Sequence, residues 1–148
     1  MSGLISAKRA PRTTALIVAG GFLFGGAALA AKPANLIVTV RGADIDAGFV
    51  HVALYDKASW NSSVAEPLRT SSRHPGGDIT VVSMSDVQRG KYVIEVYQDK
   101  NNNGQIDPGE PHGISNNLCL HVRDCHPTFE DAAVKLKAGD NAVSIDLD

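Results

Sequence analysis

The sequence predicts an all-β fold: a single antiparallel β-sandwich of about seven short strands, preceded by a signal-peptide helix. Three observations predict it. Short apolar–polar alternations recur from residue 35 onward. Clusters of Gly, Asn, Asp and Pro separate them. No long stretch after the first 30 residues carries a helical period. Alternation with one polar face means antiparallel sheets that each turn one face to the core, and two such sheets stacked make a sandwich. A small barrel is the competing architecture.

The first 30 residues stand apart. Lys8, Arg9 and Arg12, with no acid, precede an apolar run at residues 15–29. Ala28 and Ala30 then occupy the −3 and −1 positions for a cut before Ala31. A basic region, an apolar core and an A-x-A site make a secretory signal peptide. The run is about 15 residues, short of the roughly 20 needed to span a bilayer; an uncut anchor is the competing reading. The expected location is periplasmic or secreted, with no membrane span in the mature form. Residues 31–148 then form one domain of 118 residues, enough for a modest core. Three of the 14 basic residues and none of the 16 acidic ones fall before residue 31, so this domain has 11 positive against 16 negative charges, net −5 with His neutral. It shows no basic stripe interleaved with aromatics, which argues against a nucleic-acid partner.

The strands follow in order. In residues 35–41 (NLIVTVR), Leu36, Val38 and Val40 share a face by the two-residue period. Residues 42–47 (GADIDA) form a turn, and residues 49–55 (FVHVALY) give a second strand with Val50, Val52 and Leu54 inward and Phe49, His51, Ala53 and Tyr55 outward. The short turn predicts a hairpin between these two strands. Residues 56–78 read as a long polar connection containing Trp60, either a lid on the core edge or a ligand platform. Its Arg69–Arg73 part reads as a loop with a weak anion preference. Residues 79–84 (ITVVSM) and 91–98 (KYVIEVYQ) are the third and fourth strands. Pro127 and Phe129 return the chain to the core. Residues 132–137, a tight turn at 139–141 and residues 142–147 (AVSIDL) supply the last two strands.

The fourth strand runs straight into residues 99–110, DKNNNGQIDPGE. Asp stands at position 1, Asn at 3 and 5, Gly at 6, Asp at 9 and Glu at 12, the full twelve-residue calcium-loop pattern. A hard cation takes six to eight oxygens at about 2.3–2.6 Å, and alternate side chains on a curled loop can all point inward. The expected ligands are Asp99, Asn101, Asn103, the carbonyl of Gln105, Asp107 and Glu110, and the expected ion is Ca2+. Gly104 permits the sharp turn, and Ile106 is expected to anchor the loop on a neighbour. A metal-free Asn/Gly turn, or magnesium, are the competing readings.

Cys119 and Cys125 are the only cysteines, and in an oxidising compartment they are expected to form a disulfide. Its short loop contributes about 2 kcal/mol. C-x5-C is neither an oxidoreductase motif nor a common zinc spacing. His51, His112, His121 and His126 become a metal site only if the fold gathers them. A hydrolase would need Ser115 and His112 of residues 111–117 beside Asp107 or Glu110, without a G-x-S-x-G elbow. No phosphate-binding loop occurs.

Several of these segments together resemble a known family. They are residues 36–40, residues 48–55 (GFVHVALY), and Gly90-Lys91-Tyr92 followed by Asp99-x-Asn-x-Asn-Gly-x-x-Asp. Glu110-Pro111-x-Gly-x-Ser-Asn and Pro127-x-Phe-x-x-Ala-x-Val complete the set. Spanning about residues 35–147, they resemble the DUF2141 family of small exported bacterial proteins of unknown function. The resemblance implies a transthyretin-like or collagen-adhesin-B-like sandwich and supplies no catalytic residues. The expected function is that of a non-catalytic binding or envelope-associated module with a structural calcium loop, its partner a protein, a glycan or a small molecule. A small hydrolase using residues 111–117, or a small-ligand carrier using Trp60, are the alternatives.

Overall fold

The computed structural model describes residues 32–120 and 125–148. The expected signal peptide (1–30) and His121 lie outside them.

Eight strands form two stacked sheets. One has the order β4 (Ile79–Val87), β1 (Ala34–Arg41), β8 (Gly139–Asp146). The other runs β3 (Arg69–Arg73), β2 (Phe49–Tyr55), β5 (Gly90–Asp99), β6 (His112–Ile114), with β7 (Val134–Leu136) also paired to β5. The predicted inward rows are the core: Leu36, Val38 and Val40 of one sheet face Val50, Val52, Leu54, Ile94 and Val96 of the other. Alternation works best in β1 and β4, whose sheet buries only one face.

Several expectations change. The sheets are not wholly antiparallel, since β1 and β8 pair in parallel from Ala34↔Gly139 to Arg41↔Asp146. The predicted β1–β2 hairpin does not form; β1 pairs with β4 and β8, and β2 with β3 and β5. Both strands bury one apolar row, and facing those rows across the core requires opposite sheets. Residues 42–48 therefore cross between layers. Finally, the 56–78 connection is not structureless. It contains a helical turn α1 (Lys57–Trp60), capped by the Asp56 carboxylate accepting from the Ser59 N–H at 2.8 Å. It also contains β3, whose arginines serve no anion loop: Arg69 donates to the Ser85 carbonyl at 2.7 Å and Arg73 to that of Val81 at 3.3 Å. These bonds join edge strand β3 to edge strand β4 and close one side of the sandwich.

Near the C-terminus, Ala132 ends a helical turn α2 (Phe129–Ala132) and does not begin a strand. Thr128 caps it, accepting from the Asp131 N–H at 3.3 Å. Phe129 is buried against Ala53, Tyr55 and Val93, forming a second small core on the outer face of the five-stranded sheet. The 139–141 turn shifts too, because Gly139 already pairs as the first residue of β8. Cys119 and Cys125 form the expected disulfide, with Cα atoms 5.5 Å apart.

Candidate functional site

Strand β5 alternates strictly where it approaches the loop. Tyr92, Ile94, Val96 and Gln98 point into the sandwich, while Val93, Glu95, Tyr97 and Asp99 point outward. Gln98 thereby places an amide in an apolar core with no exposure. It is fully used. Its Nε2 donates to the carbonyls of Asp44 at 2.7 Å and Ala47 at 2.6 Å, and its Oε1 accepts from the Asp44 N–H at 2.8 Å. Its backbone N–H donates to the Pro111 carbonyl at 2.9 Å. One residue thus fixes the 42–48 crossover to the entry of the 99–110 loop, and its backbone bonds the exit. Gln98→Leu would remove the three hydrogen bonds that hold the Asp44 and Ala47 backbone to β5. It is expected to cost about 3 kcal/mol or more, read as a lower midpoint in urea unfolding.

The predicted loop residues come together as follows. Asp99, 1% exposed, sits at the root. Its carboxylate accepts from the Asn103 N–H at 3.1 Å and the Gly104 N–H at 2.7 Å. Gly104 takes φ +78°, the left-handed turn expected of it. Burial opposes ionisation of Asp99, but the backbone N–H groups of Gly104, Asn103 and Asn102, helped by His51, hold its carboxyl below the usual carboxylate range. Asn101 and Asn103 both aim their side-chain amides at one atom, Asp107 Oδ2, each at 2.7 Å. Glu110, 9% exposed, closes the loop, accepting from the Lys100 N–H at 2.7 Å and the Asp107 N–H at 3.1 Å. The Gln105 N–H donates to Asn103 Oδ1 at 2.8 Å. Ile106 is 44% exposed, so the expected anchoring contact is not made. Among the described residues no group of three or more His, Cys, Asp or Glu side chains is already gathered as a metal site.

The loop rests on side chains that the sequence reading did not place beside it. His51 of β2 lies opposite Tyr97 of β5 in register, and the rings stack with centroids 4.9 Å apart and planes 9° apart. His51 Nε2 is 3.7 Å from Asp99 Oδ2. On the other side Tyr97 is opposite His112 of β6. His51 and His112 therefore flank one tyrosine, and the fold does not gather them with His126 around a metal. The signal was present in the outward row Phe49, His51, Ala53, Tyr55; the missing knowledge was which strand lay beside it.

Ser115, the nucleophile of the hydrolase alternative, has no exposure. Its hydroxyl donates to the Ala132 carbonyl at 2.6 Å and accepts from the Ile94 N–H at 3.0 Å. Those bonds make it a pin between β5 and α2.

The comparisons with known proteins bear on this frame. Residues 38–144 match a family model described as an uncharacterized protein conserved in bacteria, DUF2141. The chain belongs to the DUF2141 family. The match takes in every predicted ligand of the DUF2141 chain, both cysteines and most of the buried core, leaving out Ala34, Leu36, Ile145 and Leu147 at its ends. No curated protein and no solved structure matches it. Among the described residues no helix is long and apolar enough to cross a membrane.

Proposed function

We propose that this DUF2141 protein is an exported, non-catalytic binding module of the bacterial envelope, periplasmic or secreted, with a structural Ca2+ ion in residues 99–110. One observation carries the reading. Two asparagine amides converge on a single Asp107 oxygen, at 2.7 Å each, in a loop that begins and ends on the buried carboxylates Asp99 and Glu110. Positions 3, 5 and 9 of the loop thus already meet at one point, where amide N–H dipoles supply positive charge. Rotating each amide by half a turn presents Oδ1 in place of Nδ2 and makes the same point a set of oxygens, giving up the bonds those oxygens now accept from the Asn103 and Gln105 N–H groups. A divalent cation then relieves the repulsion among Asp99, Asp107 and Glu110. Its role is to set the loop, with the 42–48 crossover beside it, into one shape for a protein, glycan or small-molecule partner. The excess of acid disfavours nucleic acid.

Titration calorimetry of the metal-stripped protein tests this. Calcium is expected to bind at one site with a Kd of about 10⁻⁴–10⁻³ M, as in extracellular modules. Magnesium, which demands a tighter octahedron and sheds water reluctantly, is expected to bind more weakly. Heats of dilution alone, for both ions, would refute the reading.

A further inference from the structure

A second cleft lies on the same sheet face, at the end covered by the helical turns. Its volume is about 440 Å³, within the roughly 300–1,000 Å³ of small-molecule sites. Two aromatic rings form a corner in its wall. Tyr55 and Trp60 meet edge to face, with centroids 5.4 Å apart and planes 69° apart. Both rings are held before any ligand arrives. Trp60 Nε1 donates to the Pro127 carbonyl at 3.1 Å, and Tyr55 is packed in the second core. The Tyr55 hydroxyl donates at 3.0 Å to Glu95, which also lines the cleft.

Glu95 is the unusual group. It stands on the outward row of β5, in register with Ala53 and Ile114, between apolar neighbours. Among the described residues no Lys or Arg pairs with it. Among the described residues its carboxylate accepts one hydrogen bond, from a neutral phenol. Burial pushes its carboxyl above the usual range, although Tyr55, His112 and His126 pull the other way. Among the described residues its only cationic neighbours are therefore the histidines His112 and His126, and it lines a cleft whose wall carries two aromatic rings. That combination of aromatic faces and one carboxylate is the chemistry that recognises alkylated ammonium groups, through cation–π attraction and charge pairing.

We propose that this cleft binds an organic ammonium cation, its alkyl groups in the Tyr55–Trp60 corner and its charge facing Glu95. Asn61, Ser62 and Ser63 form the polar rim, suited to a hydroxyl or amide elsewhere on the ligand. The cleft is separate from the 99–110 loop, so this inference stands or falls independently of calcium. A larger hollow bordered by Lys32, Arg89, Lys135 and Lys137 has no such built element, because all four cations are exposed.

The test uses the full chain in chelator, so that a failure here is distinct from a failure of the calcium reading. Trp60 is the only tryptophan and reports directly on its own cleft. Choline is expected to change its fluorescence saturably, at millimolar or lower concentration. Neohexyl alcohol, the uncharged carbon isostere of choline, is expected to bind at least about tenfold more weakly. Glu95→Gln, which keeps the size of the side chain and an acceptor for Tyr55, is expected to lose choline affinity by a similar factor, with circular dichroism confirming the fold. Equal affinity for choline and the alcohol, or no saturable change, would overturn the proposal. So would a folded Glu95→Gln variant that binds choline as the parent does. The comparison of the two ligands on the unaltered chain decides the matter even if the variant does not fold.

Discussion

Calcium at about 100 times its Kd is expected to raise the melting temperature of the metal-stripped protein by about 10 °C, and Glu110→Gln is expected to remove most of that rise. A ligand that binds only the folded state at this saturation contributes about 2.7 kcal/mol. In a domain of this size each kcal/mol moves the midpoint by about 4 °C. Glu110 is the decisive position because it closes the ring. Both its oxygens now accept backbone N–H groups, from Lys100 and Asp107. The glutamine variant keeps the side-chain size and one acceptor but turns an NH2 toward the other backbone N–H, so the metal-free fold loses about 1 kcal/mol. What it loses is the charge and the second oxygen that a bidentate ligand provides. Parent and variant are therefore expected to melt closer together in chelator than in calcium. Superimposable melting curves for the parent in calcium and in chelator would contradict the assignment.

Gly48→Ala is expected to be among the most damaging single-methyl additions in the protein. Gly48 adopts φ +50°, and a Cβ built there would fall 1.7 Å from the Asp99 carbonyl oxygen. No side-chain rotation relieves that contact, because both partners are backbone. The variant must push the start of β2 away from the end of β5, the point at which the chain enters residues 99–110. A cost of about 3 kcal/mol or more is expected, a fall in melting temperature of about 10 °C or more. Gly104→Ala is the informative contrast. Its φ is also positive, at +78°, but nothing lies within 4 Å of the added Cβ. Only backbone strain of about 1–2 kcal/mol is expected there. Equal losses for the two variants would show that the close approach of Gly48 to Asp99 carries no weight.

The contrast between what was readable in the chain and what was not has a physical basis. Strands β1 and β4 are legible because each buries one face, so every second residue is buried: Leu36, Val38 and Val40 are the clearest case, while β2 and β5 keep such a row and also bury Ala53, Tyr55 and Val93 on the outer face. The turn of residues 99–110, with Gly104 at positive φ, is legible because it is local. Strand β3 (RTSSR) was not, since an edge strand with exposed side chains carries no alternation. The short helical turns were hidden for another reason. Four residues hold too little of a helical period, and only their caps, Asp56 and Thr128, mark them. Strand pairing was misread at β1 and β2 because sequence adjacency favours a hairpin, while the core requires their apolar rows to face one another. That one error concealed the support of the loop. With β2 assigned beside β5, the outward His51 falls next to Tyr97 and Asp99, and Gln98 falls inside, above the 42–48 crossover. Glu95 was hidden in the same way, its surroundings being Tyr55 from 40 residues earlier and His126 from 31 residues later.

The central claim concerns oxygens around one point, and a crystal structure grown in millimolar calcium tests it most directly. The account predicts one strong peak within about 2.3–2.6 Å of Asp99, Asn101, Asn103, Asp107 and Glu110, with both asparagine amides turned so that Oδ1 faces it. A map with no peak there, and with Asn101 and Asn103 still donating to Asp107, would contradict it.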